Sequence, residues 1–183
     1  MKNINDIRIE NGESKKEIKL AILLPVAGAI GSNSLLTAAK EKMLEENTLE
    51  AVFTFPNEVF YPGASYCMVF TLGRPHKASD GSIKDTFFGY YKDDGFIKRK
   101  YLGRVEQFSK EDHSLWKDIE EKWLDLYRNK KVIDGLSATA PVTHKDEWLA
   151  EAYMKTDYST LTEADFEKTI RSYYSYLIKD GGF

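Results

Sequence analysis

The chain has a single cysteine, Cys67, among its 183 residues. No internal disulfide is available to staple the fold, and no paired Cys/His spacing exists from which a zinc site could be built. Its three histidines, His76, His113 and His144, lie apart in polar settings without a Cys, Asp or Glu at metal-ligand spacing, and each reads as a surface residue rather than a catalytic one. No window reaches the roughly 18 apolar residues of a membrane span, and the N-terminus lacks an uncharged apolar stretch of signal-peptide length. These absences point to a cytosolic chain that is neither exported nor embedded. The sequence also contains no G-x-G and no Asn-Pro dipeptide. The segment "VAGAIGS" places Gly28 and Gly31 at a spacing that fits neither the dinucleotide loop nor the P-loop, and it reads as a strand-to-helix turn. Charge of one sign is lacking too: 26 basic and 29 acidic residues leave a net −3, so any nucleic-acid contact would need a local basic patch.

What is present is ordinary globular material. A hydrophobic share of 42% against 30% charged residues excludes a disordered or membrane chain and allows a sizeable core. The spacing predicts a polar lead-in over residues 1–17, in which Asn11-Gly12 marks a turn, and then an α/β domain over 18–109. "IKLAILL", stopped by Pro25, is a continuous aliphatic run of the kind buried on both faces of a sheet. Ser32, Asn33 or Ser34 caps a helix reaching about Glu46, with Leu35, Leu36, Ala39, Met43 and Leu44 on its apolar face and Lys/Glu opposite. "LEAVFTFP" and "SYCMVFTLG" read as two further strands around the loop "FPNEVFYPGAS". The helix between the first two strands favours a parallel pair with a right-handed crossover. The short loop between the second and third fits an antiparallel pair.

Beyond Gly73 comes a polar loop, and "TFFGYYKDDGFIKRKYLGR" predicts a hairpin turning at Asp93-Asp94-Gly95. Residues 110–183 read as a helical extension: a helix from about Lys110 to Asn129, a loop to about Lys145, a short aromatic segment, and a last helix opened by "LTEADFE" and ending near Lys179. No internal repeat is visible.

Two groups of side chains invite a functional reading. Lys92, Lys98, Arg99, Lys100 and Arg104, interleaved with Tyr90, Tyr91, Phe96 and Tyr101, have the composition of a nucleic-acid contact. A solvated hairpin over packed aromatics accounts for the same letters. Trp116 and Trp123, with Tyr173 on the last helix, are candidates for a face that meets a partner, with a helix core as the alternative for the tryptophans.

The ordered series Pro25, Leu44-Glu45, Leu49-Glu50-Ala51-Val52, Pro56 with Phe60, and "CMVFTLGRPHK" resembles the later part of the catalytic domain of adenine-N6 DNA methyltransferases. It is similar in particular to the modification subunit of type I restriction-modification systems. The downstream "TFFGYYKDDGFIKRKYLGR" and "DEWLAEAYMKTDYS" resemble the C-terminal region of a subgroup of those subunits, so that the likeness runs over about residues 18–179. The resemblance implies the back half of a Rossmann-like methyltransferase sheet, with mixed parallel and antiparallel strands and helices, followed by a helical extension. It implies that the "P-x-x-x-F" loop lies on the target-base side, where Phe60, with Tyr61 beside it, would stack on an adenine flipped from the duplex. An ordinary core role for Phe60 is the alternative.

The resemblance also implies what is missing. The family's glycine-rich F-x-G-x-G loop, which binds S-adenosylmethionine, and its N-P-P-[FY] motif, which holds the target amine, do not occur here. In the family order both would precede Met1. The expectation is therefore a C-terminal portion that binds no cofactor alone, has no catalytic or metal-binding residue of its own, and works with DNA, a specificity subunit and the missing N-terminal half. The other readings are a stand-alone, non-catalytic protein docking on a specificity subunit or DNA, and an inert remnant.

Overall fold

The computed structural model describes residues 17–56, 59, 66–155 and 162–179. Its centre is a five-stranded mixed sheet built from β1 (Lys19–Leu24), β2 (Asn47–Thr54), β3 (Tyr66–Leu72), β4 (Asp85–Tyr90) and β7 (Ser137–Pro141), in the order β1-β3-β2-β4-β7. β3 is antiparallel to both β1 and β2, β2 is parallel to β4, and β4 is antiparallel to β7. A short β5 (Phe96–Arg99) and β6 (Gly103–Glu106) form a separate two-stranded ribbon. The helices are α1 (Val26–Ile30), α2 (Ser34–Glu46), α3 (Leu115–Arg128) and α4 (Glu163–Lys179), with a 3-10 turn at Ala150–Tyr153.

Alternation along the central strands divides the core in two. One face of the sheet carries Leu49, Val52, Tyr66, Met68, Phe70 and Phe88, covered by Ala29 of α1, Leu44 of α2, Trp148 and Ala150. The other carries Ala51 and Phe87, with Phe53 and Val69, covered by Leu126, Trp123 and Tyr127 of α3. Helices on both faces of a mixed sheet make this an α/β fold. α2 starts where its sequence says it should: Asn33 Oδ1 accepts the Leu36 N–H at 2.9 Å, satisfying one orphan donor of the first turn. Ser114 caps α3 in the same way, accepting from the Lys117 N–H.

Four expectations are corrected. β1 and β2 run in the same direction but do not pair, because β3 inserts between them and takes both as antiparallel neighbours. β1 is not buried on both faces: it is the sheet's edge, unpaired on its outer side among the described residues, with Leu20 and Leu23 exposed. The hairpin turns at Lys100-Tyr101-Leu102, where Tyr101 has φ 67 and Gly103 φ 73. Asp93-Asp94-Gly95 is instead the bend between the sheet and that ribbon. The segment after residue 109 is not a helical extension alone, since β7 pairs with β4 and Trp148 enters the main core.

Candidate nucleic-acid interface

β2 and β4 are parallel, and their carboxyl ends, Thr54 and Tyr90, lie side by side in register. Crevices outside the carboxyl ends of parallel strands are where open α/β sheets take their ligands. The loop that begins at Phe55 leaves from this end. The two residues expected to stack on a base, Phe60 and Tyr61, lie outside the described residues.

The described floor of this end is polar and held in place. Thr54, almost fully buried, donates its hydroxyl to Glu151 Oε2 at 2.7 Å. The other carboxylate oxygen of Glu151 is 3.6 Å from Lys92 Nζ, which also stands 5.0 Å above the Tyr90 ring. Burial raises the Tyr90 phenol's pKa, and the Glu151 charge adds to it. Nothing in the sequence marks Glu151, since a Glu in "LAEAY" carries no signal. It reaches the sheet end because the 3-10 turn packs against β4 and β7.

Lys98, Arg99 and Lys100 project from the exposed end of the ribbon, with Lys100 Nζ 5.0 Å from the ring centroid of Tyr101. Arg104 does not join them. Its guanidinium grips both oxygens of the Asp94 carboxylate and lies 5.8 Å from the Phe96 ring, with only 22% of its side chain exposed. A pair this enclosed anchors the ribbon to the domain.

Trp116 and Trp123 also turn inward. Trp123 stacks on Tyr91 at 4.3 Å and 8° and receives Trp116 edge-on at 5.5 Å, while Trp116 meets Phe96 at 6.2 Å. They join ribbon, α3 and sheet into one body. Tyr173 is different. α4 has no buried residue, and Phe166, Ile170, Tyr173, Tyr174, Tyr176 and Ile178 are all more than half exposed.

A methyl-donor cofactor finds no cradle at the glycine-bearing segment between β1 and α2. A side chain at Gly28 would meet the Tyr66 hydroxyl at 3.0 Å, and one at Gly31 would meet Leu36 Cδ1 at 2.1 Å. Both glycines make room for protein atoms, so this turn does not fit S-adenosylmethionine. No group of three or more metal-ligating side chains occurs among the described residues, nor is any helix there long and apolar enough to cross a membrane.

No family model matches the sequence, and no curated protein matches it. Solved structures do. The type I restriction-modification methyltransferase subunit from Streptococcus thermophilus superposes with a TM-score of 0.51 at 18% identity, over 75% of this chain and 26% of that one. A modification subunit of a putative type I restriction enzyme from Vibrio vulnificus gives 0.44 at 14% identity, over 67% and 22%. A structure describing assembly and conformational transition of the type I system gives 0.49 at 15% identity, over 92% and 36%. The first of these likenesses establishes a shared fold: the domain has the architecture of part of a type I methyltransferase subunit. The chain spans about a quarter of that subunit's length.

Proposed function

We propose that this chain is the C-terminal part of a type I DNA adenine-N6 modification subunit. It walls the DNA side of the cleft, offers contacts to other subunits, and does not transfer methyl groups alone. The observation that supports this reading is the end of the sheet: β3 sits antiparallel between β1 and β2, and β1 is the edge strand among the described residues, with Leu20 and Leu23 exposed. An edge of that kind is a template for further strands, and a methyltransferase sheet would continue there. S-adenosylmethionine and the target amine would be held by the half that carries the glycine-rich loop and the N-P-P-[FY] motif.

In this reading the carboxyl ends of β2 and β4 face DNA. Phe60, with Tyr61 beside it, stacks on the flipped adenine, and Lys98, Arg99 and Lys100 meet phosphates. Lys92 belongs to the same end, positioned by Glu151. The exposed apolar residues of α4 support a contact with a specificity subunit. That same helix favours a second reading, a non-catalytic protein that docks on such a subunit or on DNA without a missing half.

Association tests the proposal. A tagged chain co-expressed with the upstream half of the methyltransferase domain from the same locus should retain it, and Leu20→Lys with Leu23→Lys should release it. Failure of the unaltered chain to retain that half refutes the proposal and leaves the docking reading.

A further inference from the structure

The β5–β6 ribbon is fixed at one end and exposed at the other. At its base the Arg104 guanidinium holds the Asp94 carboxylate, and the Ser114 hydroxyl donates to Glu106 Oε1. The Gln107 N–H donates to the Gly95 carbonyl at 2.8 Å, and Phe96 meets the Trp116 ring edge-on at 6.2 Å. The apex stands out from the protein body. Lys98, Arg99, Lys100, Tyr101, Leu102 and Gly103 are all exposed, and a side-chain carbon built at Gly103 would meet nothing within 4 Å.

Two apolar side chains occupy that apex. Tyr101 is 92% exposed and Leu102 75%. The Arg99 carbonyl accepts the Leu102 N–H at 3.2 Å, so Tyr101 is the third residue of a four-residue turn, and it has φ 67. Glycine or asparagine suits that backbone, and a bulky ring there is an outlier. Strain kept at a residue that buries nothing points to a use for its side chain. The charge around the pair is of one sign. Lys98, Arg99 and Lys100 precede it, and no acidic residue occurs from 98 to 104. The flanking carboxylates are engaged lower on the ribbon, Asp94 by Arg104 and Glu106 by Ser114. Lys100 Nζ lies 5.0 Å from the Tyr101 ring centroid.

We propose that the apex is a wedge for duplex DNA: Tyr101 and Leu102 enter between two base pairs and unstack them, while Lys98, Arg99 and Lys100 hold the neighbouring phosphates. The wedge rests on the reading of the ribbon as DNA-facing and goes beyond it, since phosphate contact alone gives the exposed ring and isobutyl group nothing to do. A protein surface would match the apolar pair but would have to desolvate or pair three cations beside it. Duplex DNA matches both, with apolar base faces behind a row of phosphates. Unstacking a base step is costly, so the wedge has to be stiffly mounted, and the anchored base of the ribbon provides that.

The test compares binding of the full chain, by fluorescence anisotropy at low salt, to two short duplexes of equal length. One is intact and the other carries a central abasic site, where the gap is already open. The chain should bind the abasic duplex about tenfold more tightly, which is what stacking one ring on a base is worth. The Tyr101→Gly, Leu102→Ser variant suits the turn and removes only exposed side-chain atoms, so it should fold. It should lose the preference and keep the salt dependence, whereas Tyr101→Phe should keep both. Equal binding of the two duplexes by the unaltered chain overturns the wedge and leaves the phosphate contacts standing. A preference that survives in the Tyr101→Gly, Leu102→Ser variant does the same. No binding of either duplex overturns the wedge together with the DNA-facing reading of the ribbon, and leaves the apex to a protein surface.

Discussion

Lys40 offers a severe test of how the first core is closed. It lies on α2 at a position the helical pattern assigns to the polar face, yet it is only 5% exposed. Its Nζ donates to the Ala29 carbonyl at 2.8 Å and the Asp146 carbonyl at 3.1 Å, and it stands 5.2 Å from the Trp148 ring centroid. One ammonium thus ties the end of α1 to the segment that carries Trp148. Burial lowers its pKa, and the Glu147 and Asp146 carboxylates partly restore it. Lys40→Met keeps most of the stem and removes the charge. Two charge-assisted hydrogen bonds at about 1.5–3 kcal/mol each are lost, offset in part because no ammonium remains to desolvate. A net loss of about 3 kcal/mol should lower Tm by about 6–12 °C in a chain of this size. Circular dichroism of the wild-type chain and the variant at pH 7 reads this directly. A fall of less than about 2 °C would refute the reasoning and make Lys40 a bystander.

Four further outcomes follow from the same geometry. Removing one partner of the enclosed Arg104–Asp94 pair by Arg104→Met should cost about 3–5 kcal/mol in urea unfolding. By contrast, Lys98→Glu, Arg99→Glu and Lys100→Glu together should leave stability nearly unchanged while weakening any DNA binding and flattening its salt dependence; unchanged binding would reject the ribbon as a DNA contact. His76 has its pKa lowered, first by burial and then by the Lys84 charge. The unfolded chain therefore binds more protons below about pH 6.5, stability falls as pH drops through that range, and His76→Gln should flatten the fall measured by urea unfolding from pH 7 to 5. Gly95 has φ +72, and a Cβ there would come within 2.9 Å of the Trp116 backbone nitrogen, so Gly95→Ala should cost at least about 1–3 kcal/mol by the same assay.

Much of this fold is legible because local chemistry and burial agree. β2 and β3 are apolar runs interrupted by prolines and turn residues, while α2, α3 and α4 announce themselves through periodicity and, for α2, through its cap at Asn33. β7 is not legible: "SATAP" is small and weakly apolar, and it becomes a strand only because β4 supplies its ladder. The run "KLAILL" promises two covered faces, but whether they are covered depends on chain elsewhere. Asp93-Asp94-Gly95 outcompetes Lys100-Tyr101-Leu102 as a turn signal, although tertiary pairing places the turn at the latter.

The candidate sites divide in the same way. A basic cluster can be read from composition, but composition cannot tell Arg99 on the surface from Arg104 locked to Asp94. Trp116 and Trp123 follow a stripe that reads first as a helix core and, in an appended helix, as a partner face, and the stacking of Trp123 on Tyr91 comes from tertiary packing that the stripe does not encode. Glu151, Lys40 and His76 acquire their roles from contacts with residues 97, 106 and 27 positions away, and no local pattern encodes separations of that length.

Methyl transfer is the most direct test of the proposed function. Labelled methyl incorporation from S-adenosylmethionine into unmethylated duplex DNA would be measured for this chain, for the upstream half from the same locus, and for the two together with the specificity subunit. The account predicts none from either half alone and transfer when they are combined. Transfer by this chain alone, or none from a combination that has assembled, would contradict it.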